Sequence, residues 1–131
     1  MSEFSPPSSE WAKLLNLAQA ETRKTIQALP AKLRANAELL PVIFEPHPNE
    51  TLIGDGVEPD TLGLFVGEAF PESESGAMQL PAQIILFLEN IWEMAEANEA
   101  DYRREIRATF LHELGHYLGL DEIDLEDRGL G

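Results

Sequence analysis

The 131-residue sequence contains no cysteine. Disulfides and thiolate metal sites are thereby excluded, and any metal ion must be held by His, Asp or Glu. Basic residues are few: nine Lys and Arg stand against 24 Asp and Glu, for a net charge of −15. Such a surface repels nucleic acid and anionic membranes, so neither is expected as a partner. It concentrates cations, including metal ions and basic peptides. No apolar run approaches the roughly 20 residues that span a bilayer. The opening MSEFSPPSSEW has no basic segment followed by an apolar one, so it does not read as a signal peptide. A soluble cytoplasmic protein is the expectation. No internal repeat or second domain is visible. The hydrophobic share of 44% is ordinary for a globular chain, and this length can bury a core without crosslinks.

Residues 1–9, rich in Ser and Pro, read as a flexible arm, and 10–131 as a single domain. Trp11, Leu14, Leu15, Ala18, Thr22 and Ile26 recur at helical spacing. They predict a helix over 10–28, with Ser9 as its N-cap and Pro30 beyond its end. AKLRANAELL adds a short helical turn. PVIFEPHP reads as a strand of about five residues stopped by its prolines. ETLIGDGVEPDT reads as a loop, TLGLFVGEAF as a second strand and PESESGAMQLP as another loop. Ile84 to Leu88 reads as a well-buried third strand. A helix follows from about Asn98 to Leu118, and Gly119 stops it. The predicted class is α+β: a small sheet with an N-terminal and a C-terminal helix packed against it.

The last helix holds two of the three histidines, in TFLHELGHYLGLDE. With Ile106 at zero and ~100° per residue, Tyr117, Phe110, Leu114, Leu118 and Leu111 fall between ~20° and ~140°, an apolar stripe for core packing. His112 and His116 fall near ~240° and ~280°, off the stripe, with Thr109 beside them. Arg103 and Arg107 project toward the apolar side, which reads as the helix start running past the sheet edge. Residues four apart lie one above the other on a helix. Two imidazoles so placed can converge on one ion at ~2.0–2.1 Å. Glu113, one step around, is suited to holding a water on that ion and exchanging its proton. Gly115, a poor helix former, suggests close packing. A catalytic zinc site needs a third protein ligand. The third histidine, His47 in EPHPNE, reads as an ordinary surface residue. A carboxylate among Asp121, Glu122 and Asp124 is therefore expected, brought back by a turn at Gly119.

HELGHYLGLDE resembles the metzincin pattern His-Glu-x-x-His-x-x-Gly-x-x-His/Asp, with Glu122 in the last place. Most of the chain is similar to the small bacterial zincin-like metallopeptidases, or minimal zincins. PVIFEP, LGLFVGEAF, LPAQIILFLENIW and REIRATFLHELGHYLGLDEIDL carry that likeness. The resemblance implies a zincin-like fold with the active-site helix beneath the sheet. It implies Zn2+ held by His112, His116 and Glu122, Glu113 as general base, and a peptide or protein substrate. By analogy LGLFVGEAF is the edge strand that pairs with an extended substrate, and Gly63 and Gly67 let a second backbone come close. The chain departs from the metzincins in its longer third ligand and in having no methionine after Met94, hence no Met-turn. Tyr102 and Arg128 are the candidate oxyanion stabilisers. The expected function is zinc-dependent peptide hydrolysis. The alternatives are a non-catalytic zincin-like module that binds a metal or a partner, and a metal-dependent hydrolase of another substrate such as RNA.

Overall fold

Three strands and five helices make up the computed structural model, which describes residues 9–67 and 82–118. The arm before Ser9, the end of the second expected strand, the loop after it and everything beyond Leu118 lie outside the described residues. Helix α1, Ser9–Gln27, buries Leu14, Ala18, Thr22 and Thr25 along one face. The two threonines sit there without penalty because their hydroxyls donate back to Ala18 O at 2.9 Å and Glu21 O at 2.8 Å. Ser9 is already helical, so it is not the cap expected of it. Pro30 then opens α2, Ala31–Glu38, longer than the single turn expected.

The sheet order is β1-β3-β2. Strand β1, Val42–Glu45, runs parallel to the central β3, Gln83–Phe87, with Ile43 opposite Ile85. Strand β2, Gly63–Val66, lies antiparallel on the other side of β3, with Gly63 opposite Leu86. Alternation decides the faces: Ile84 and Leu86 are fully buried, while Ile85 between them is only partly covered.

Two helices occupy stretches expected to be loop or strand. Helix α3, Glu50–Gly54, forms because the Asn49 side chain accepts the Leu52 N–H at 2.8 Å, and the helix breaks off before the positive φ of Gly56. Helix α4, Leu88–Met94, starts with no intervening loop after β3. Leu88, Ile91 and Ala95 are buried at helical spacing, a pattern masked by the apolar strand that runs straight into it.

The last helix, α5, is Glu99–Leu118, with Asn98 accepting the Asp101 N–H at 2.9 Å. It packs against α1, β2, β3 and α4. Tyr102, Ile106, Phe110 and Leu114 recur every fourth residue and are fully buried. Each such side chain contributes about 1.5–3 kcal/mol on burial. Arg103 does not join this face: it is exposed and paired with Glu99 at 2.7 Å. Tyr102 is no oxyanion stabiliser. Its hydroxyl donates to Leu14 O at 2.9 Å and its ring meets the Trp92 edge at 5.4 Å between centroids, so it ties α5 to α1 and α4.

Burial holds the Tyr102 hydroxyl in its neutral form and raises its pKa well above the ordinary value. The unfolded chain loses that proton first. The stabilising contribution is therefore complete below about pH 10 and declines as pH rises above it. Tyr102→Phe should cost about 1 kcal/mol at neutral pH through the lost hydrogen bond. The gap between parent and variant should narrow in alkaline solution. Urea unfolding of both proteins at neutral and high pH checks this, and a gap that stays constant would refute the assigned role.

Candidate metal centre

Helix α5 does two jobs on two arcs of its surface. The apolar arc builds the core, and the edge of that arc beside β2 carries polar groups. Thr109 and Glu113, one turn apart, are both buried, with Glu113 only 7% exposed. His112 and His116, next around the helix, are exposed. The helical projection set the histidines off the core face, as found. It also set Thr109 beside them, whereas the structure buries it. The burying surface is β2, whose position against the helix the sequence pattern does not show.

Gly63 makes this approach possible. A Cβ on Gly63 would lie 2.6 Å from Thr109 Cγ2, 3.3 Å from Glu113 Cγ and 3.3 Å from Leu86 Cδ2. The bare strand backbone thus lies on α5 at the level of Glu113. Gly63 was expected to admit a substrate backbone; its missing side chain instead makes room for the chain's own helix. Gly67 has a φ of 112°, a conformation that side chains resist. Phe65, two residues along β2, packs on Tyr117 with centroids 5.7 Å apart. Gly115 is buried, in keeping with a glycine chosen for close packing.

Beside this contact lies a cleft of about 380 Å³ lined by Leu62, Gly63, Ala108, Thr109, His112 and Glu113. The His112 and His116 rings stand 4.6 Å apart between centroids at an interplanar angle of 66°. A Glu113 oxygen lies 3.2 Å from His116 Nδ1. One ligand atom from each of His112, Glu113 and His116 can be chosen so that all lie within 4.8 Å of one another. Two imidazole nitrogens, with no sulfur in reach, are donors that suit zinc, and the Glu113 carboxylate stands beside them. The three sequence-predicted residues of the HELGH segment are therefore brought together.

Residues 37–130 match the family described as zincin-like metallopeptidase. The chain belongs to this family. Curated proteins yielded no match to it. The mixed α+β architecture, with three strands and a C-terminal helix, agrees with the zincin-like fold.

Asp121, Glu122, Asp124 and Arg128 lie outside the described residues. His47 is exposed and stands apart from the cluster, on the connection between β1 and α3. It is more than an ordinary surface residue, since its Nε2 lies 2.9 Å from Glu89 Oε1 and its Nδ1 3.1 Å from Asn90 Oδ1. Sequence reasoning did not single out Thr109, Leu62 or Ala108 as cleft residues. A glycine at the helix-facing register of β2 was the available signal, and it became readable only with the pairing to Leu86 known.

Gly63→Ala should destabilise the protein by about 1–3 kcal/mol, because the new methyl overlaps a helix side chain in a packed layer. Thr109→Ser removes the methyl that is struck. The double variant Gly63→Ala/Thr109→Ser should recover part of the loss. Strictly additive destabilisation in thermal melts of the four proteins would contradict the contact.

Proposed function

We propose that this protein is a cytoplasmic zinc-dependent metallopeptidase that hydrolyses peptide bonds. His112 and His116 bind the metal, Glu113 is the general base, and Glu122 supplies the third ligand. The observation that carries the reading is the convergence of two exposed imidazoles and one buried carboxylate within 4.8 Å, with His112 and Glu113 lining the cleft. The exposed rings can exchange water for an ion without disturbing the core. Burial between β2 and α5 restricts the Glu113 side chain and fixes where its carboxylate stands.

Zinc bound there would supply a Lewis acid that polarises a carbonyl and lowers the pKa of a bound water toward ~7. Glu113 accepts the proton of the attacking water on a carboxylate oxygen and returns it to the amide nitrogen as the C–N bond breaks. Strand β2 is the outermost strand on this side of the sheet among the described residues, and it borders the cleft. An extended peptide adding to that edge would place its backbone alongside the carboxylate. The net charge of −15 favours peptide over nucleic acid as the substrate. Among the described residues no helix is long and apolar enough to cross a membrane.

Glu122 stands six residues beyond His116. On a continuous helix that offset is ~9 Å along the axis, out of reach of a shared ion. To reach the ion Glu122 would need a turn after Leu118, and it stands where the metzincin-like pattern puts the third ligand.

The metal is tested by elemental analysis. The parent should hold one zinc per chain, and His112→Ala/His116→Ala should hold none while keeping its melting transition, since both side chains are exposed. Undiminished zinc in that double variant would remove the site. Glu113→Gln should retain zinc yet lose chelator-sensitive cleavage of casein by about 10²–10⁴-fold, because the amide cannot accept the proton. Cleavage of RNA instead of casein would select a different hydrolase, and cleavage of neither would select a non-catalytic metal-binding module.

The third ligand is tested by comparing Asp121→Asn, Glu122→Gln and Asp124→Asn for zinc affinity. Loss of a direct ligand should exceed the roughly 10–100-fold effect of an outer hydrogen-bond partner. Only Glu122→Gln should show it. Parent-like affinity in that variant would transfer the role to a neighbour.

A further inference from the structure

The segment entering the cleft wall is anchored from behind by one buried carboxamide. Asn90, on α4, is 8% exposed and lies outside the metal cluster. Its Nδ2 donates to Pro59 O at 2.8 Å and to Thr61 O at 2.9 Å. Two facing carbonyls fix the orientation of the amide group, since only the NH2 end can satisfy both. Its Oδ1 is then an acceptor, met by His47 Nδ1 at 3.1 Å. Both amide hydrogens thus hold the 59–61 segment, while the oxygen meets His47. The Glu89 carboxylate, 2.9 Å from His47 Nε2, holds the imidazole from its far side.

The consequence falls on β2. Phe87 N donates to Leu62 O at 2.9 Å, immediately after the anchored carbonyl of Thr61. Leu62 and Gly63 line the cleft, and Gly63 lies against Thr109 and Glu113. Beyond this point β2 is only four residues long and is laddered to β3 on one side among the described residues. A strand so short gains little register from its own ladder. The segment leading into it is held by Asn90 through Pro59 O and Thr61 O, and by Phe87 N through Leu62 O. On the reading that peptide substrate adds to β2, we infer that Asn90 is a positioning residue for substrate binding. It sets the height of the β2 edge over Glu113, with His47 holding Asn90 in turn.

Asn90→Asp is the informative substitution. It keeps the shape and the acceptor facing His47, and replaces both donors to Pro59 and Thr61 with a carboxylate oxygen. Backbone amide hydrogen exchange in the zinc-loaded protein should quicken about tenfold or more over 64–66 while Ile106 to Leu114 of α5 stays within about twofold. Zinc should remain at one per chain. With an internally quenched casein-derived peptide, KM should rise about tenfold with kcat within about threefold of the parent, as for a loss of uniform binding. His47→Ala, a change at an exposed residue, should shift exchange over 64–66 in the same direction by about threefold, and it decides the matter if Asn90→Asp does not fold. Equal acceleration in β2 and α5, or none in either, would overturn the inference. So would a selective loosening of β2 with KM unchanged. If the parent cleaves no peptide, the hydrolytic reading fails and with it the role in substrate binding, while exchange still decides whether Asn90 anchors β2.

Discussion

The contact between the bare backbone of Gly63 and the Thr109–Glu113 side of α5 governs how the rest of the molecule is arranged. At most strand positions a side chain would hold sheet and helix apart. Here the separation closes until a single methyl would collide with Thr109 and crowd Glu113 and Leu86. Glu113 is buried as a result, while His112 and His116 remain exposed. One helix can therefore present a fixed carboxylate and two solvent-facing imidazoles within a few ångströms of one another. A carboxylate on the apolar face of a bundle would be costly to bury. At the rim of the sheet, beside an open cleft, it keeps access to water.

Everything else in the fold supports the level of that contact. Ile84 and Leu86 of β3 and the Tyr102–Ile106–Phe110–Leu114 row of α5 set the distance between layers. The Tyr102 hydroxyl on Leu14 O and its ring against Trp92 fix the start of α5 on α1 and α4. The Phe65–Tyr117 pair holds its far end to β2. Asn90 closes the frame from the other side by holding the segment that leads into β2. The arc that carries His112, Glu113 and His116 is thus supported at both ends and from behind, and its histidines are left exposed.

The His112–Glu113–His116 cluster was legible because it is local. His112, Glu113 and His116 lie within five consecutive residues, and helical geometry alone puts two of them on one side and the third a step away. The helix was legible from its period. The two short helices were not, for different reasons. Helix α3 depends on one side-chain cap at Asn49 amid Gly and Asp, where composition argues for a loop. Helix α4 begins directly after the last residue of β3, so its apolar spacing merged with the apolar run before it. The partners of His47 and Tyr102 were not legible because they are distant in sequence: Asn90 is 43 residues from the one, and Leu14 is 88 from the other.

The sequence by itself determined the grouping of His112, Glu113 and His116, the exclusion of thiolate ligands, the acidic composition and the helix that carries the motif. Each follows from composition or from spacing within a few turns of helix. Only the tertiary structure decided which of the motif's residues would be buried. That depended on β2 pairing antiparallel with β3 so that Gly63 stands opposite Leu86 and faces α5. A strand register is a relation between segments far apart in the chain, and a shift of one residue would turn Gly63 to the other face of the sheet. The same five residues of α5 would then carry the same chemical groups without the close backbone contact that now buries Glu113.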